Sequence, residues 1–246
     1  MSLTGPAFYD DAAVFATYQQ RRQRPDSPND TLEKPVMLDL IGDVTGLAVL
    51  DLGCGDAAFG QELLDQGAGQ YVGVEGSQKM VELAQARLTC PRSQVVHQTL
   101  EDWNSPAAAF DLAVARLVLH YLADLPTLFT KIYNSLRPNG RFIFSVEHPV
   151  ITSCDRGWPA GTMRQDWVVD QYFEPGLRVV NWMGGAVQKH HHTVEDYFMT
   201  LQQAGFVVEH LREATPRRAL FQDEALYERR QRIPLFLCLA GRKPSE

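Results

Sequence analysis

The sequence has no apolar run of the about 18 residues that a membrane-spanning helix needs, so no membrane partner is expected. Its beginning has no basic segment followed by an apolar one, and a secretory signal is therefore not expected. The four cysteines, at positions 54, 90, 154 and 238, lack Cys-x-x-Cys spacing. This favours reduced thiols over a zinc site, and we expect a cytoplasmic protein without a metal ion.

Positive charge is also scarce. The chain has 23 Lys and Arg residues against 30 Asp and Glu residues, a net charge of −7. A protein that binds the phosphate backbone broadly favours a basic face, so a nucleic-acid partner is not expected. The 246 residues, 45% of them apolar, are enough to bury the core of one or two domains.

The main feature that is present is a glycine turn between an apolar run and an amphipathic segment. The run over residues 48–50 leads to Asp51, Gly53 and Gly55 follow, and residues 59–66 have the pattern of a helix. At such a turn, backbone N–H groups can approach a ligand at the N-terminus of the helix. Glycine suits this position because no Cβ atom blocks positive φ or the approach of the ligand.

A carboxylate stands at the end of the second apolar run. This run covers residues 71–74, and Glu75 follows Gly55 by 20 residues. At this position a carboxylate can accept two hydrogen bonds from the diol of a ribose. The turn and the acid together predict a cofactor that contains a nucleoside.

The motif Asp51-Leu52-Gly53-Cys54-Gly55, followed by Val74-Glu75-Gly76-Ser77, resembles the class I S-adenosylmethionine (SAM) dependent methyltransferases. A turn of the nicotinamide-dinucleotide type would add a third glycine, but Ala58 stands at that place. Many members of the family have glycine where this chain has Ala57, which is one departure. The resemblance implies SAM as the cofactor and S-adenosylhomocysteine (SAH) as its product.

The resemblance covers roughly residues 8–242 and is strongest over residues 48–146. Strand and helix patterns alternate there, which argues for a parallel sheet with helices on both faces. Further strands are predicted over residues 94–97, 110–115, 141–146, 206–211 and 235–240. We therefore predict an α/β, Rossmann-like, doubly wound sheet of seven strands in one methyltransferase domain, residues 1–246. The sheet is mostly parallel, and the resemblance implies an antiparallel last strand.

The resemblance also implies which residues bind the cofactor. Gly53 and Gly55 admit its amino-acid part, Glu75 holds the ribose, and residues 100–102 hold the adenine, unless they are a solvated acidic loop. Residues 115–117 border the methionine part, since ligands of such sheets lie at the carboxyl ends of the strands. The predicted cofactor-binding residues are Tyr18, Asp51, Gly53, Gly55, Glu75, Gly76, Ser77, Met80, Leu100, Glu101, Asp102, Ala115, Arg116 and Leu117.

Residues 1–46 are predicted to form an N-terminal helical cap. Val14 and Tyr18 share one helical face, and the loop residues 25–29 interrupt the helix. One interpretation is that this helix only packs on the domain. In the other it covers the mouth of the cofactor site, as similar segments do in small-molecule methyltransferases, so that Tyr18 and Arg22 reach the cofactor.

Two histidines are candidate catalytic bases, because an acceptor hydroxyl or amine loses a proton during methylation. His148 follows the fifth predicted strand, and its alternative role is a bond to the local backbone. His191 matches a Lys-x-His-x-Thr pattern of similar methyltransferases, which begins here at Lys189. Residues 190–192 are three successive histidines, but adjacent side chains point in different directions and rarely bind one ion.

Residues 151–190 are predicted to form an aromatic insertion. The insertion contains three of the four tryptophans, at positions 158, 167 and 182, together with Tyr172 and Phe173. We hypothesise a lid over the acceptor site, in which tryptophans stack on a flat substrate. The alternative is a small satellite core.

The predicted function is methyl transfer from SAM to an oxygen or nitrogen of a small molecule, by a monomer or homodimer. A first alternative is a methyltransferase of nucleic acid, with tRNA as its target. The missing basic face and the missing Asn/Asp-Pro-Pro-aromatic motif disfavour it. A second alternative is a regulator that binds SAM without turnover.

Overall fold

The computed structural model describes residues 2–22, 24, 27–156 and 166–245. A seven-stranded sheet lies at its centre, formed by β1 (Ala48–Leu52), β2 (Gln70–Glu75), β3 (Ser93–His97), β4 (Phe110–Arg116), β5 (Leu136–Glu147), β8 (Val207–Glu213) and β9 (Phe236–Arg242). A separate hairpin pairs β6 (Gly176–Trp182) with β7 (Gly185–His191). The α-helices are α1 (Gly5–Asp10), α2 (Ala12–Arg22), α3 (Lys34–Ile41), α4 (Ala58–Asp65), α5 (Gln78–Arg87), α6 (Leu125–Ser135), α7 (Pro149–Thr152), α8 (Val194–Gln203) and α9 (Glu224–Arg230). A π-helical turn, Asn29–Glu33, leads into α3.

The strand order is β3-β2-β1-β4-β5-β9-β8. Strands β1 to β5 pair in parallel, and β9 is antiparallel to both of its neighbours. The predicted α/β doubly wound sheet with an antiparallel last strand is therefore confirmed. The chain reverses its direction of winding between β1 and β4, which opens a crevice at the carboxyl ends of these strands.

The central strands are apolar because both faces of the sheet are covered. All five residues of β1 are buried. One apolar core, which includes Phe129 and Leu201, places α6 and α8 on one face. A second core, which includes Ile41 and Leu63, places α3 and α4 on the other face. The covered sheet forms a rigid base beneath the crevice.

The N-terminal residues join the hairpin above this crevice. The Leu3 N–H donates to the Ala186 carbonyl oxygen at 3.0 Å, and the Gln188 N–H donates to the Leu3 carbonyl oxygen at 2.9 Å. A small apolar cluster behind them consists of Phe8, Val14, Met183 and Val187. The N-terminal segment and the hairpin thus form one roof.

A carboxylate fixes this roof to the domain below. Asp10, the last residue of α1, accepts hydrogen bonds from the Ser77 hydroxyl at 2.7 Å and from the Lys79 N–H at 3.1 Å. Both donors lie at the start of α5, where a negative charge is favourable because the N-terminus of a helix carries partial positive charge. The contact holds α1 beside the carboxyl end of β2.

The described part of the aromatic insertion is mainly the β6–β7 hairpin. Trp167 donates from Nε1 to the Val150 carbonyl oxygen at 2.9 Å, and Trp182 lies beneath the cations of Arg21 and Lys189. Trp158 lies outside the described residues. Within the described ranges, no helix is long and apolar enough to cross a membrane.

Candidate active site

A cavity of about 290 Å³ lies at the carboxyl ends of β1, β2 and β4, below the roof. It brings together most of the residues that the sequence predicts: Tyr18, Asp51, Gly53, Gly55, Glu75, Gly76, Met80, Leu100, Glu101, Arg116 and Leu117. Ser77, Asp102 and Ala115 do not line it. Tyr9, Tyr121, Gln188 and His190 line it without having been predicted, because they come from the roof and from the loop after β4.

The glycine turn forms one wall of the cavity in a left-handed backbone conformation. Gly53 has φ +69°, and a Cβ atom built there would lie 2.5 Å from Cγ2 of Val118. A side chain at Gly53 would therefore clash with Val118, whereas a Cβ atom at Gly55 would meet nothing within 4 Å, so Gly55 is the glycine that leaves open space at the turn. Ala57, where the family often has glycine, also has φ +53°. A left-handed conformation costs an alanine about 1 kcal/mol more than a glycine, so the departure is tolerated.

Glu75 connects this turn to the next helix. Its Oε2 accepts from the Gly55 N–H at 2.9 Å, and its Oε1 accepts from the Ser77 N–H at 2.8 Å. Each carboxylate oxygen has a second acceptor position, so both remain able to bind a ligand hydroxyl. Burial raises the pKa of Glu75 above its ordinary value, although these backbone hydrogen bonds oppose the shift. Ser77 therefore does not line the cavity itself, and its N–H holds the Glu75 carboxylate in place.

Asp51 places a second carboxylate at the bottom of the cavity. Its side chain is buried, and its Oδ2 accepts a hydrogen bond from the Tyr71 hydroxyl at 2.7 Å. Burial raises the pKa of Asp51 to about 6, against the effect of the Tyr71 hydrogen bond. The folded protein therefore prefers the protonated form of Asp51 more than the unfolded chain does.

This preference predicts a pH-dependent effect of Asp51→Asn. A raised pKa in the folded state means that the stabilisation is complete below the unfolded value of 3.8 and is lost as the pH rises through about 6. At pH 7.5 the buried charge costs about 3 kcal/mol, which the neutral asparagine avoids. Urea unfolding should show the variant more stable than the wild type at pH 7.5, with the difference reduced to about 0.6 kcal/mol at pH 4. A difference that stays constant over this range would contradict the assignment.

A buried ion pair supports the end of β4. Arg116 donates from Nε to Glu33 Oε1 at 3.0 Å, its Nη2 pairs with Glu33 Oε2, and the Ser145 hydroxyl donates to Glu33 Oε1 at 2.6 Å. The guanidinium also lies 4.2 Å from the ring centroid of Phe59. Glu33 belongs to the π-helical turn and is fully buried. The sequence predicts Arg116 at the site but gives no signal for Glu33.

Three tyrosines face the cavity from the roof and the loop after β4. The hydroxyls of Tyr9 and Tyr121 lie 3.2 Å apart, and the rings of Tyr9 and Tyr18 pack edge to face at 5.4 Å. Burial raises the pKa of Tyr18 to about 12 and raises the pKa values of Tyr9 and Tyr121 above their ordinary range. All three hydroxyls are therefore protonated at neutral pH.

The structure does not bring the two predicted bases to this cavity. His148 Nδ1 accepts from the Val150 N–H at 3.2 Å, and its Nε2 contacts Glu213 Oε1 at 3.0 Å. Since Nδ1 is the acceptor, the proton lies on Nε2. His148 is the N-cap of α7 and is buried. Its geometry agrees with the local structural role that was the alternative.

His191 is also occupied away from the cavity. Its ring nitrogens contact the Thr152 hydroxyl at 2.8 Å and the Tyr172 carbonyl oxygen at 2.9 Å. Strand alternation explains the placement, because successive side chains of β7 point to opposite faces. Lys189 and His191 face the protein interior, and Lys189 contacts both oxygens of Glu147 at 2.7 Å. His190, on the opposite face, is the histidine of this run that lines the cavity.

The tryptophans of the insertion are also elsewhere. Neither Trp167 nor Trp182 lines the cavity, so the described residues do not bring the predicted stacking surface to it. Within the described ranges, no group of three or more His, Cys, Asp or Glu side chains is arranged to hold a metal ion.

The residues present fit SAM. Asp51 and Glu75 provide negative charge for a donor that carries a sulfonium and an ammonium group, and Glu75 has free acceptor positions for a ribose diol. The open space at Gly55 leaves room for a ligand beside the turn. Thr99, Leu100 and Glu101 also line the cavity and follow β3, which the strand order separates from β4, and an adenine would lie beside them.

Comparison with known proteins agrees with this fit. A family model described as a methyltransferase domain matches residues 50–144. The crystal structure of an S-adenosylmethionine-dependent methyltransferase from Mesorhizobium loti is similar, with 34% identity and a TM-score of 0.79, covering 86% of this chain and 97% of that chain.

Two curated relatives extend the similarity. An uncharacterised protein of Haemophilus influenzae is 34% identical over 83% of this chain and 85% of its own length. A ubiquinone biosynthesis O-methyltransferase of Idiomarina loihiensis is 26% identical over 65% of this chain and 69% of its own length.

Proposed function

Because the chain belongs to the class I SAM-dependent methyltransferases, we propose that it transfers the methyl group of SAM to an oxygen or nitrogen of a small molecule held in this cavity. Bound SAM supplies a methyl group that is already activated on a sulfonium. The work left to the protein is to bind, to orient and to exclude water.

The assignment of residues to the cofactor follows the walls of the cavity. Glu75 accepts hydrogen bonds from the ribose hydroxyls, and Leu100 and Glu101 contact the adenine. The turn from Gly53 to Gly55 admits the amino-acid part of the cofactor. Tyr18 and Arg22 approach from α2, where Asp30 holds the Arg22 guanidinium at 3.1 and 3.4 Å. The cap thus contributes to cofactor binding in this proposal.

The observation that carries the choice of a small molecule is the roof over the cavity. Thr4, Gly5 and Pro6 from the N-terminal segment line it, as do Gln188 and His190 from the hairpin. Backbone hydrogen bonds join these two parts on both sides of Leu3. A site closed in this way suits a compact acceptor, and the net charge of −7 does not suit a polynucleotide.

The catalytic contribution we assign to the protein is mainly positional. His148 and His191 bind other groups, so neither serves as a base in this proposal. In this proposal the protein accelerates the reaction by aligning the nucleophile with the carbon–sulfur bond. Holding two reactants in the reactive geometry removes a large part of the activation barrier. The relative from Idiomarina loihiensis is, by its name, an O-methyltransferase of ubiquinone biosynthesis, which supports a small-molecule acceptor.

The experiment is a labelling assay with methyl-labelled SAM. Phenols, amines and carboxylic acids are offered in one series, and total tRNA is offered in another. We expect label in small-molecule products and none in the tRNA. Label in the tRNA would contradict the proposal, and SAH binding without transfer to any acceptor of either series would indicate a regulator that binds SAM without turnover.

A further inference from the structure

Two tyrosine hydroxyls in the cavity have one hydrogen more than their contacts use. The Tyr9 and Tyr121 hydroxyls are hydrogen-bonded to each other at 3.2 Å. Within the described residues, each of the two hydroxyls makes this one hydrogen bond. One hydroxyl must donate to the other, so the second hydrogen has no acceptor in the part of the chain that the structure describes. Both tyrosines are half-buried at the wall of the cavity, so this hydrogen is available to a ligand atom with a lone pair.

The pair is held in place from both sides. Tyr9 packs edge to face against Phe8 at 5.6 Å and against Tyr18 at 5.4 Å. The Lys189 ammonium lies 5.9 Å from the ring centroid of Tyr121, where the Glu147 ion pair fixes it. Tyr9 belongs to the N-terminal cap and Tyr121 to the loop after β4. Their hydroxyls therefore come together where the cap packs against this loop.

The pair offers a neutral donor, not a base. Both phenols are half-buried, and their partial removal from water raises the pKa of each above its ordinary value. The nearby carboxylate of Glu147 raises both pKa values further. A protonated phenol pair can donate one hydrogen bond into the cavity across the neutral pH range.

A single donor at the nucleophile distinguishes oxygen from nitrogen. An amine nitrogen has one lone pair, and methylation uses it. An alcohol, phenol or carboxylate oxygen has at least two lone pairs, so one can accept a hydrogen bond while another attacks. A donor aimed at the nucleophile therefore suits oxygen and hinders nitrogen.

We propose that the Tyr9–Tyr121 hydroxyl pair orients the nucleophile of the methyl acceptor, and that this nucleophile is an oxygen. The inference rests on the proposed function and narrows it to O-methylation. An oxygen lone pair forms the new carbon–oxygen bond while the carbon–sulfur bond breaks and its electron pair stays on sulfur. A hydroxyl acceptor releases its proton to solvent, and a carboxylate or phenolate has none to release.

The test uses Tyr9→Phe and Tyr121→Phe, which remove the hydroxyls and keep the rings. Tyr133→Phe is the matched control, because Tyr133 packs against Phe206 away from the cavity. Calorimetry measures SAH affinity, and steady-state kinetics measures kcat/KM for a phenol and for the aniline of the same shape. Calorimetric titration of 4-nitrophenol into the protein–SAH complex measures acceptor binding without turnover.

We expect both variants to bind SAH within about twofold of the wild type. In the variant that loses the hydroxyl donating to the acceptor, one lost hydrogen bond of about 1.4 kcal/mol predicts about tenfold lower kcat/KM for the phenol and about tenfold weaker binding of 4-nitrophenol. The other variant keeps that donor and should change less. The aniline should be a poor acceptor for the wild type, and Tyr133→Phe should match the wild type. A general loss of structure would lower kcat/KM for the phenol and the aniline alike. A loss confined to the phenol therefore indicates that the hydroxyl pair orients the nucleophile.

Three results would overturn the inference. The first is about tenfold weaker SAH binding with unchanged binding of 4-nitrophenol, which would assign the pair to the donor. The second is methylation of the aniline in preference to the phenol, which would leave the proposed function standing. The third is unchanged binding of 4-nitrophenol in both variants. If no small molecule is methylated by the wild type, the proposed function fails, and the binding titration still decides whether the pair contacts an oxygen ligand.

Discussion

Glu75→Ala is expected to weaken SAH binding by about a hundredfold. The ribose diol would lose two hydrogen bonds to a carboxylate, each worth about 1.5 kcal/mol or more, and every 1.4 kcal/mol is about a factor of ten. The backbone N–H groups of Gly55 and Ser77 would also lose the carboxylate that they now share. Calorimetric titration of wild type and variant measures the change directly.

Two further variants make this result specific. Glu82→Ala removes an exposed carboxylate from α5, where it accepts a hydrogen bond from Gln78 Nε2 at 2.9 Å, and it should leave SAH affinity unchanged. Glu75→Gln keeps the shape but replaces one acceptor oxygen with an NH₂ group, which would oppose a backbone N–H. It should therefore bind SAH more weakly than the wild type and more tightly than Glu75→Ala. Wild-type affinity in a folded Glu75→Ala protein would refute the ribose assignment.

Arg116→Met is expected to lower the free energy of unfolding by about 3–5 kcal/mol. It would leave the fully buried Glu33 carboxylate with the Ser145 hydroxyl as its remaining donor, and an uncompensated buried charge is strongly destabilising. The double variant Glu33→Met with Arg116→Met removes both charges and should recover much of this loss. Urea unfolding at pH 7 of the two variants and the wild type measures both values.

An exposed ion pair supplies the control. Arg137 contacts Asp111 at 2.7 Å, but 46% of the Arg137 side chain is exposed. Arg137→Met should therefore lower the free energy of unfolding by about 1 kcal/mol or less. If Arg116→Met were equally mild, the buried pair would not support the end of β4 in the way we describe.

The sheet and the glycine turn could be predicted because their signals are local. Alternating apolar runs fix the strands, and the spacing from Gly55 to Glu75 reflects the helix and the second strand of a parallel unit. The antiparallel position of β9 between β5 and β8 came only from the resemblance, since the pattern of a strand does not state its partner.

Contacts between distant residues gave no such signal. Arg116 and Glu33 are separated by 83 residues, and Tyr9 and Tyr121 by 112. Each pair forms because the cap and the π-helical turn fold back onto the ends of the parallel strands. Neither partner has a neighbour in sequence that marks it, so only the packed structure reveals the pair.

The histidine run shows a different limit. A pattern that resembles other methyltransferases selected His191, but a pattern does not give the direction of a side chain. In β7 the side chains alternate, so Lys189 and His191 point inward and His190 points to the cavity. The strand assignment was needed before the face of each histidine could be known.

The most direct measurement of the central claim is a crystal structure of the protein with SAH. We expect one SAH molecule in the cavity below the roof, with its ribose hydroxyls within hydrogen-bond distance of Glu75, its adenine beside Leu100 and Glu101, and its sulfur facing the side of the cavity where Tyr9 and Tyr121 meet. SAH bound elsewhere on the protein, or bound in the cavity with its ribose away from Glu75, would contradict the account.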